Sequence, residues 1–409
     1  MILSQFTLSF STSLYQPSNI EYNSYLFNIQ NMTYFLGLIF LALGAGFINL
    51  SITHIINSIN DPESTVHAFS LYYPILNIGV MLGSIYMSLI IGEENYNMYT
   101  WAFLFLGIIL IIGLISFHLL KNRYLVDNKC ELMKEEDSKD NILKESNKLL
   151  KKVSSKSISE IKNLNFKERF FLFNNSLSKI EKDRLTVFFV FLIIIIFYRI
   201  AYSQTSLSMV FFIDIFVERD VYNYVVPVQM FFILNPLFIL LLSPLLIKFN
   251  TIIDKRNIKF GFINRTITAL LILVACFGIL SILGYHLDIG NYDKIDIFWI
   301  PLIELMVALS ELLFSIAGYS FIGDLAPEKY YSLFFGMFMA TRSISMYISG
   351  EISILFPVDA NLMFYRNIPL NGLMGYFFII VIITLIAAIM LFTLRKTLRK
   401  KMHLENLNQ

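Results

Sequence analysis

Apolar residues in this chain come in long, nearly unbroken runs rather than in the narrow stripes of a soluble helix. About nine runs are long enough to cross a bilayer as helices. They lie near 32–57, 68–92, 99–120, 185–216, 225–249, 260–286, 297–321, 331–357 and 373–394. Between the third and fourth comes the longest interruption, 121–184, rich in Lys, Glu, Asp, Ser and Asn. Its apolar residues are sparse apart from Phe170–Phe173, which predicts a flexible linker with some surface helix rather than a packed domain. Ahead of the first run, Ile2–Leu14 is too short to cross about 30 Å of hydrocarbon, so residues 1–31 read as a separate N-terminal segment.

The pattern therefore predicts an all-α integral membrane protein. Its parts are a three-helix partial N-terminal bundle (32–120), the polar linker (121–184), a six-helix C-terminal bundle (185–398) and a tail (399–409). Six helices after a long polar loop match half of a twelve-helix, two-bundle transporter. Three plus six is an incomplete version of that plan.

Composition agrees with the membrane reading. The chain of 409 residues is 56% hydrophobic and 15% charged, whereas soluble domains carry about 25% charged residues. The net charge of +2 implies no nucleic-acid partner, because the charges are localised. The linker alone holds 16 of the 32 Lys and Arg residues. The positive-inside rule puts it in the cytoplasm, together with the basic tail Arg395–Lys401, which lies six helices further on. Residues 1–30 contain no Lys or Arg, in keeping with an outside start. The expected setting is a multi-pass protein of the plasma membrane. The basic linker is either simply solvated or drawn to the membrane surface. Two cysteines, Cys130 and Cys276, suggest no disulfide framework, and five scattered histidines suggest no metal site.

The run 297–321 carries the most informative polar residues. Glu304 and Glu311 are seven residues apart, so a helix puts both on one face, roughly 10 Å apart along its axis. An ionisable group at membrane depth costs about 3 kcal/mol on insertion scales, so it calls for a polar partner or a wet cavity. Other polar residues within apolar runs are Asn77, Arg199, Tyr202, Ser203, Gln204, Asn235 and Arg342. Pro236, after Asn235, should kink the fifth run. Gly44 and Gly46, just before Asn49, permit close helix approach. No nucleophile or metal set accompanies the two carboxylates, so no catalytic residue is assigned and an enzyme is not expected.

Several stretches resemble the proton-dependent oligopeptide transporter family of the major facilitator superfamily. Phe69–Gly79 is similar to the family signature ending in Asn-x-Gly, departing from it at Pro74, Leu76 and Val80. Pro227–Pro244 is similar to the family's eighth helix, Ser310–Pro327 to its tenth and Gly336–Gly350 to its eleventh. The resemblance covers roughly 35–120 and 185–395 and implies a carrier of di- and tripeptides or similar zwitterions, with no cofactor and a proton as the coupling ion. By position it implies that Glu311 faces the peptide's amino group and that Asn77 and Asn235 hydrogen-bond substrate. Tyr202 and Gln204 join them as candidate substrate-binding residues. Ser203 stands where the family has a glutamate linked to proton coupling, Asn49 where it has a lysine, and Phe338 where it often has Trp. The family's Glu-x-x-Glu-Arg helix has no counterpart in the apolar runs. On this resemblance the first two family helices are missing and Met1–Leu14 is at most a remnant of the third. With these charges gone, coupling to protons by the usual route is not expected.

Other readings stay open. Glu311 is a working polar group or a protonated leftover, and Glu304 serves the outer mouth or the structure. Arg199 and Arg342 either pair with Glu311 or Glu304 inside the bundle or form a new anion-binding pair. Asn77 and Asn235 are interhelical hydrogen-bonders or ligand contacts. The alternative to a carrier is a truncated, transport-inactive relative that acts as a membrane scaffold or needs a partner chain to supply helices.

Overall fold

The computed structural model describes residues 1–14, 29–59, 62–91, 98–124, 178–256, 261–325, 331–357 and 372–402. Most of the expected linker, including Phe170–Phe173, lies outside this set, as does the end of the tail. A helix stands on each of the nine expected ranges. Among the described residues, six segments are long and apolar enough to cross a membrane. The chain is an integral membrane protein.

Contacts divide the chain into two units. The first comprises Met1–Ile75 and Tyr86–Arg169, the second Leu76–Ile85 and Phe170–Gln409.

In the first unit a short helix α1 (Ile2–Ser13) packs on α2 (Ile29–Ile59) and α4 (Met98–Tyr124), while α3 (Pro62–Ile91) carries Pro74 within it. At 12 residues α1 is about 18 Å long, short of a full crossing. What it contributes is a row of small hydroxyls. Ser9 donates to the Thr100 carbonyl (2.9 Å), Ser11 to the Gln30 carbonyl (2.9 Å), and Thr100 to the Thr12 hydroxyl (3.1 Å). Small polar residues that bond across helices hold spans together where lipid offers no hydrophobic drive. Gly37 lets Leu8 come so close that a Cβ there would overlap it.

The second unit is built on a broken helix. α5 (Lys179–Gln204) opens with a reciprocal cap: Glu181 N–H donates to Ser178 Oγ (3.2 Å), and Ser178 N–H donates to the Glu181 carboxylate (2.7 Å). The chain turns at 205–207 and resumes as α6 (Ser208–Phe216). Three short strands follow, β1 (Val217–Glu218), β2 (Asp220–Val221) and β3 (Tyr224–Val225). β2 and β3 form a hairpin whose turn residues Tyr222 and Asn223 have positive φ, as tight two-residue turns require.

Pro227 caps α7 (Val228–Phe231), after which the helix breaks at Phe232–Ile233 and restarts as α8 (Leu234–Lys255). Pro236 cannot donate to the Phe232 carbonyl four residues back, so a full interruption stands where a kink was expected. α9 (Phe262–Asp288), β4 (Ile295–Asp296, parallel to β1), α10 (Trp299–Leu325), α11 (Tyr331–Ser353) and α12 (Gly372–Met402) complete the unit.

α9 and α12 pack along each other closely enough that a Cβ on Gly284 would overlap the α12 backbone at Leu373 and Met374. Their junction is a carboxylate on a helix N-terminus. Asp288 accepts from the N–H groups of Leu373 (3.0 Å) and Met374 (2.9 Å), two donors a helix start leaves unsatisfied. Gly372 makes the approach possible: its φ is +95°, and a Cβ there would overlap the Asp288 carboxyl. Gly372→Ala is expected to destabilise the unit by about 1–3 kcal/mol, the scale of a residue forced into that backbone region. Thermal unfolding of the purified protein checks this, and an unchanged midpoint would count against the junction.

At its other end α12 outruns the bilayer, since 31 residues extend about 46 Å. Its basic terminus ties back to the start of α5: Arg184 Nε donates to the Met402 carbonyl (3.3 Å), and Lys401 pairs with Asp183 (3.5 Å).

Candidate functional site

α5 is apolar along most of its length because it is the wall on which α10, α11 and α12 pack. Val187, Phe188, Phe191, Ile194, Ile195, Tyr198 and Ala201 are all buried. Near its C-terminal end the side chains change. Arg199 and Tyr202, three residues apart and so on one face, are only half-buried.

On one flank of that face stands α10. Tyr202 donates its hydroxyl proton to the Glu311 carboxylate at 2.6 Å, a short charge-assisted geometry. Glu311 is half-buried, so water reaches it. A turn below, the Tyr198 ring stacks on Phe314 (centroids 3.7 Å apart), and its hydroxyl meets Ser310 Oγ at 3.3 Å. Ser310 in turn donates to the Ala269 carbonyl of α9 (2.8 Å). Glu311 therefore projects from a stretch of α10 fixed on two sides.

On the other flank stands α11. Thr341, Ser345 and Ser349 recur every fourth residue, and all three are buried. Ser345 and Ser349 donate to the Ile196 (3.4 Å) and Ile200 (3.2 Å) carbonyls of α5, which lets the two helices approach closely. Next to this seam the Arg199 guanidinium lies over the Phe338 ring, 5.5 Å from its centroid. Ser203 donates to Met346 Sδ (3.1 Å).

Gln204 closes the end of α5. It is fully buried, and both ends of its amide are used within the protein. Nε2 donates to the Ser349 carbonyl (3.0 Å), while Oε1 accepts from Ser208 (2.6 Å) and the Tyr376 hydroxyl (2.8 Å). Ser208 and Tyr376 also meet each other in a very short hydroxyl contact. One side chain thus joins α5, α6, α11 and α12 at the helix break. Both ends of its amide are engaged within the protein in this structure.

The remaining candidates fall as follows. Asn235 is the second residue of α8, half-buried, directly after the break, and among the described residues its amide makes no hydrogen bond. Asn77 is buried on α3, within the Leu76–Ile85 stretch that belongs to the second unit. Asn49 lies in α2, but its side chain is outside the described residues.

Glu304 is buried (3% exposed) among Ile300, Ile303 and Val307. Its side chain is turned into the interior of the bundle. The Cys276 thiol lies 4.0 Å from the neighbouring Ile303 carbonyl.

Arg342 is exposed, and among the described residues no ion pair involves it. The physical reason is register: the buried face of α11 is the Thr341, Ser345, Ser349 row, and Arg342 lies one residue off it.

Sequence reasoning brought Tyr202 and Glu311 to the same site without linking them. It missed the supporting residues Ser310, Phe314, Ser345, Ser349 and Tyr376. The four-residue recurrence of small hydroxyl residues on α11 was the one available signal for part of that set.

Comparison with known proteins points the same way. A sequence model of the POT family matches residues 3–363. The Yersinia enterocolitica peptide transporter YePEPT is 24% identical over 176 residues, 43% of this chain and 34% of the relative. Dipeptide and tripeptide permease A of Yersinia pestis is 24% identical over 225 residues, 54% of this chain and 44% of the relative. The chain thus matches less than half the length of these curated relatives. A POT family transporter solved in complex with a thioalcohol-conjugated peptide superposes with a TM-score of 0.69 at 15% identity. That match covers 97% of this chain and 80% of the solved one, and it shows the fold.

Proposed function

Because this chain belongs to the POT family, we propose that it is a secondary transporter of di- and tripeptides or similar small zwitterions. It would work by alternating access, exposing its site to one side of the membrane and then the other. The observation that carries the reading is the Tyr202–Glu311 pair on the half-open face of α5. A carboxyl group on a half-open face is the natural counterpart of a cation, and a peptide's free amine is such a cation. Asn235, with its amide free of hydrogen bonds among the described residues, offers a donor and an acceptor for the peptide backbone. Gln204 and Ser203 act behind this face, fixing α5 against its neighbours. The relatives named as peptide transporters and permeases support the substrate class.

The charge pattern supports a place in the cell membrane with the linker and the C-terminus in the cytoplasm. An uncharged Ser203, tied to Met346, supports transport without the usual proton-coupling group at that position.

The test is binding by the purified full chain in detergent. Labelled dialanine should bind saturably, be displaced by unlabelled dialanine, and be displaced far less by its N-acetyl derivative, which lacks the cationic amine. Absence of saturable binding, or equal displacement by both compounds, would overturn the proposal.

A further inference from the structure

We infer that Arg342 is the specificity determinant for a free carboxylate on the substrate, the counterpart on α11 of Glu311 on α10. The inference rests on the reading of the chain as a peptide transporter and deepens it by naming which group would hold the second charge.

α5 is the wall shared by both helices. α10 meets it through Tyr202–Glu311, and α11 through Arg199–Phe338 and Ser203–Met346. Phe338, Arg342 and Met346 follow one another at intervals of four, so they form one row along α11. Arg342 thus stands between the two rungs that touch α5, with Phe338 buried beside it. Arg199 is the arginine occupied by packing over a ring. Arg342 is exposed and joins no ion pair among the described residues.

A guanidinium part-way along a membrane helix needs water or an anion. Its planar fork of donors matches a carboxylate in two parallel hydrogen bonds, which a lysine cannot reproduce.

The experiment compares dialanine with dialanine amide as competitors for labelled dialanine, on the full-length protein. The wild type should bind the amide at least about tenfold more weakly, the scale of one lost charge-assisted contact. Arg342→Gln should weaken dialanine by a similar factor and leave the amide unchanged, so that discrimination disappears, while Arg342→Lys should restore part of it. Equal weakening of both compounds, or discrimination that survives in Arg342→Gln, would overturn the inference. A wild type that binds dialanine and its amide alike would overturn this inference alone. A wild type that binds neither would overturn the peptide reading and this with it.

Discussion

Glu311→Gln is expected to lower uptake of labelled dipeptide into proteoliposomes by about 10- to 100-fold, the worth of a hydrogen bond to a charged group. The glutamine keeps the size and one acceptor but loses the negative charge that would meet the substrate's amine. Tyr202→Phe should cost less, because it removes a neutral donor 2.6 Å from the carboxylate and leaves the charge in place. The order of the two variants is the informative part. Uptake that is equal in wild type and Glu311→Gln would remove Glu311 from the site. A larger loss in Tyr202→Phe than in Glu311→Gln would mean that the tyrosine, not the acid, meets the substrate.

The second large effect concerns stability. Gln204→Leu should destabilise the second unit by about 3 kcal/mol, since it takes the shared acceptor from the buried hydroxyls of Ser208 and Tyr376, leaving them only each other, and the donor from the Ser349 carbonyl, and each unmade buried bond costs about 1–3 kcal/mol. Leucine is of similar volume, so the change is in hydrogen bonding rather than packing. A thermal scan in detergent should move down by several degrees. Gln204→Glu should destabilise as well, because it keeps acceptors for the two hydroxyls but loses the donor to the Ser349 carbonyl and buries an ionisable group. No shift in either variant would mean that the helix break holds without this amide.

These two residues mark what the sequence made legible and what it hid. The spans were readable because a bilayer imposes a length on every apolar run. A kink near Asn235 was readable from Pro236, because a missing N–H has a fixed local consequence, but the full interruption was not. Glu311 stood out for the cost of placing a carboxyl in an apolar helix.

Nothing local, however, links Glu311 with Tyr202, which is 109 residues away, or Gln204 with Tyr376, which is 172 away. Such pairs depend on which faces the helices turn toward one another. That is why the sequence could not show that the Gln204 amide bonds Ser349, Ser208 and Tyr376. The same ambiguity of facing governed the charges. Arg342 read as either a partner for a glutamate inside the bundle or half of an anion-binding pair, and a one-residue offset from the buried row leaves its side chain exposed. Glu304, on the same helix as Glu311, turned inward. The two-residue strands beside α6 and α10 carried no alternation long enough to be read at all.

α12 is pinned at one extremity by the Asp288 carboxylate and at the other by Arg184 and Asp183. A strut fastened at both tips cannot slip lengthwise: a shift of one helical turn, about 5.4 Å, would have to break both moorings at once. Whatever rearrangement accompanies transport, α5, α9 and α12 should therefore travel as a single lever. Spin labels placed on any two of them should keep a constant separation with and without substrate.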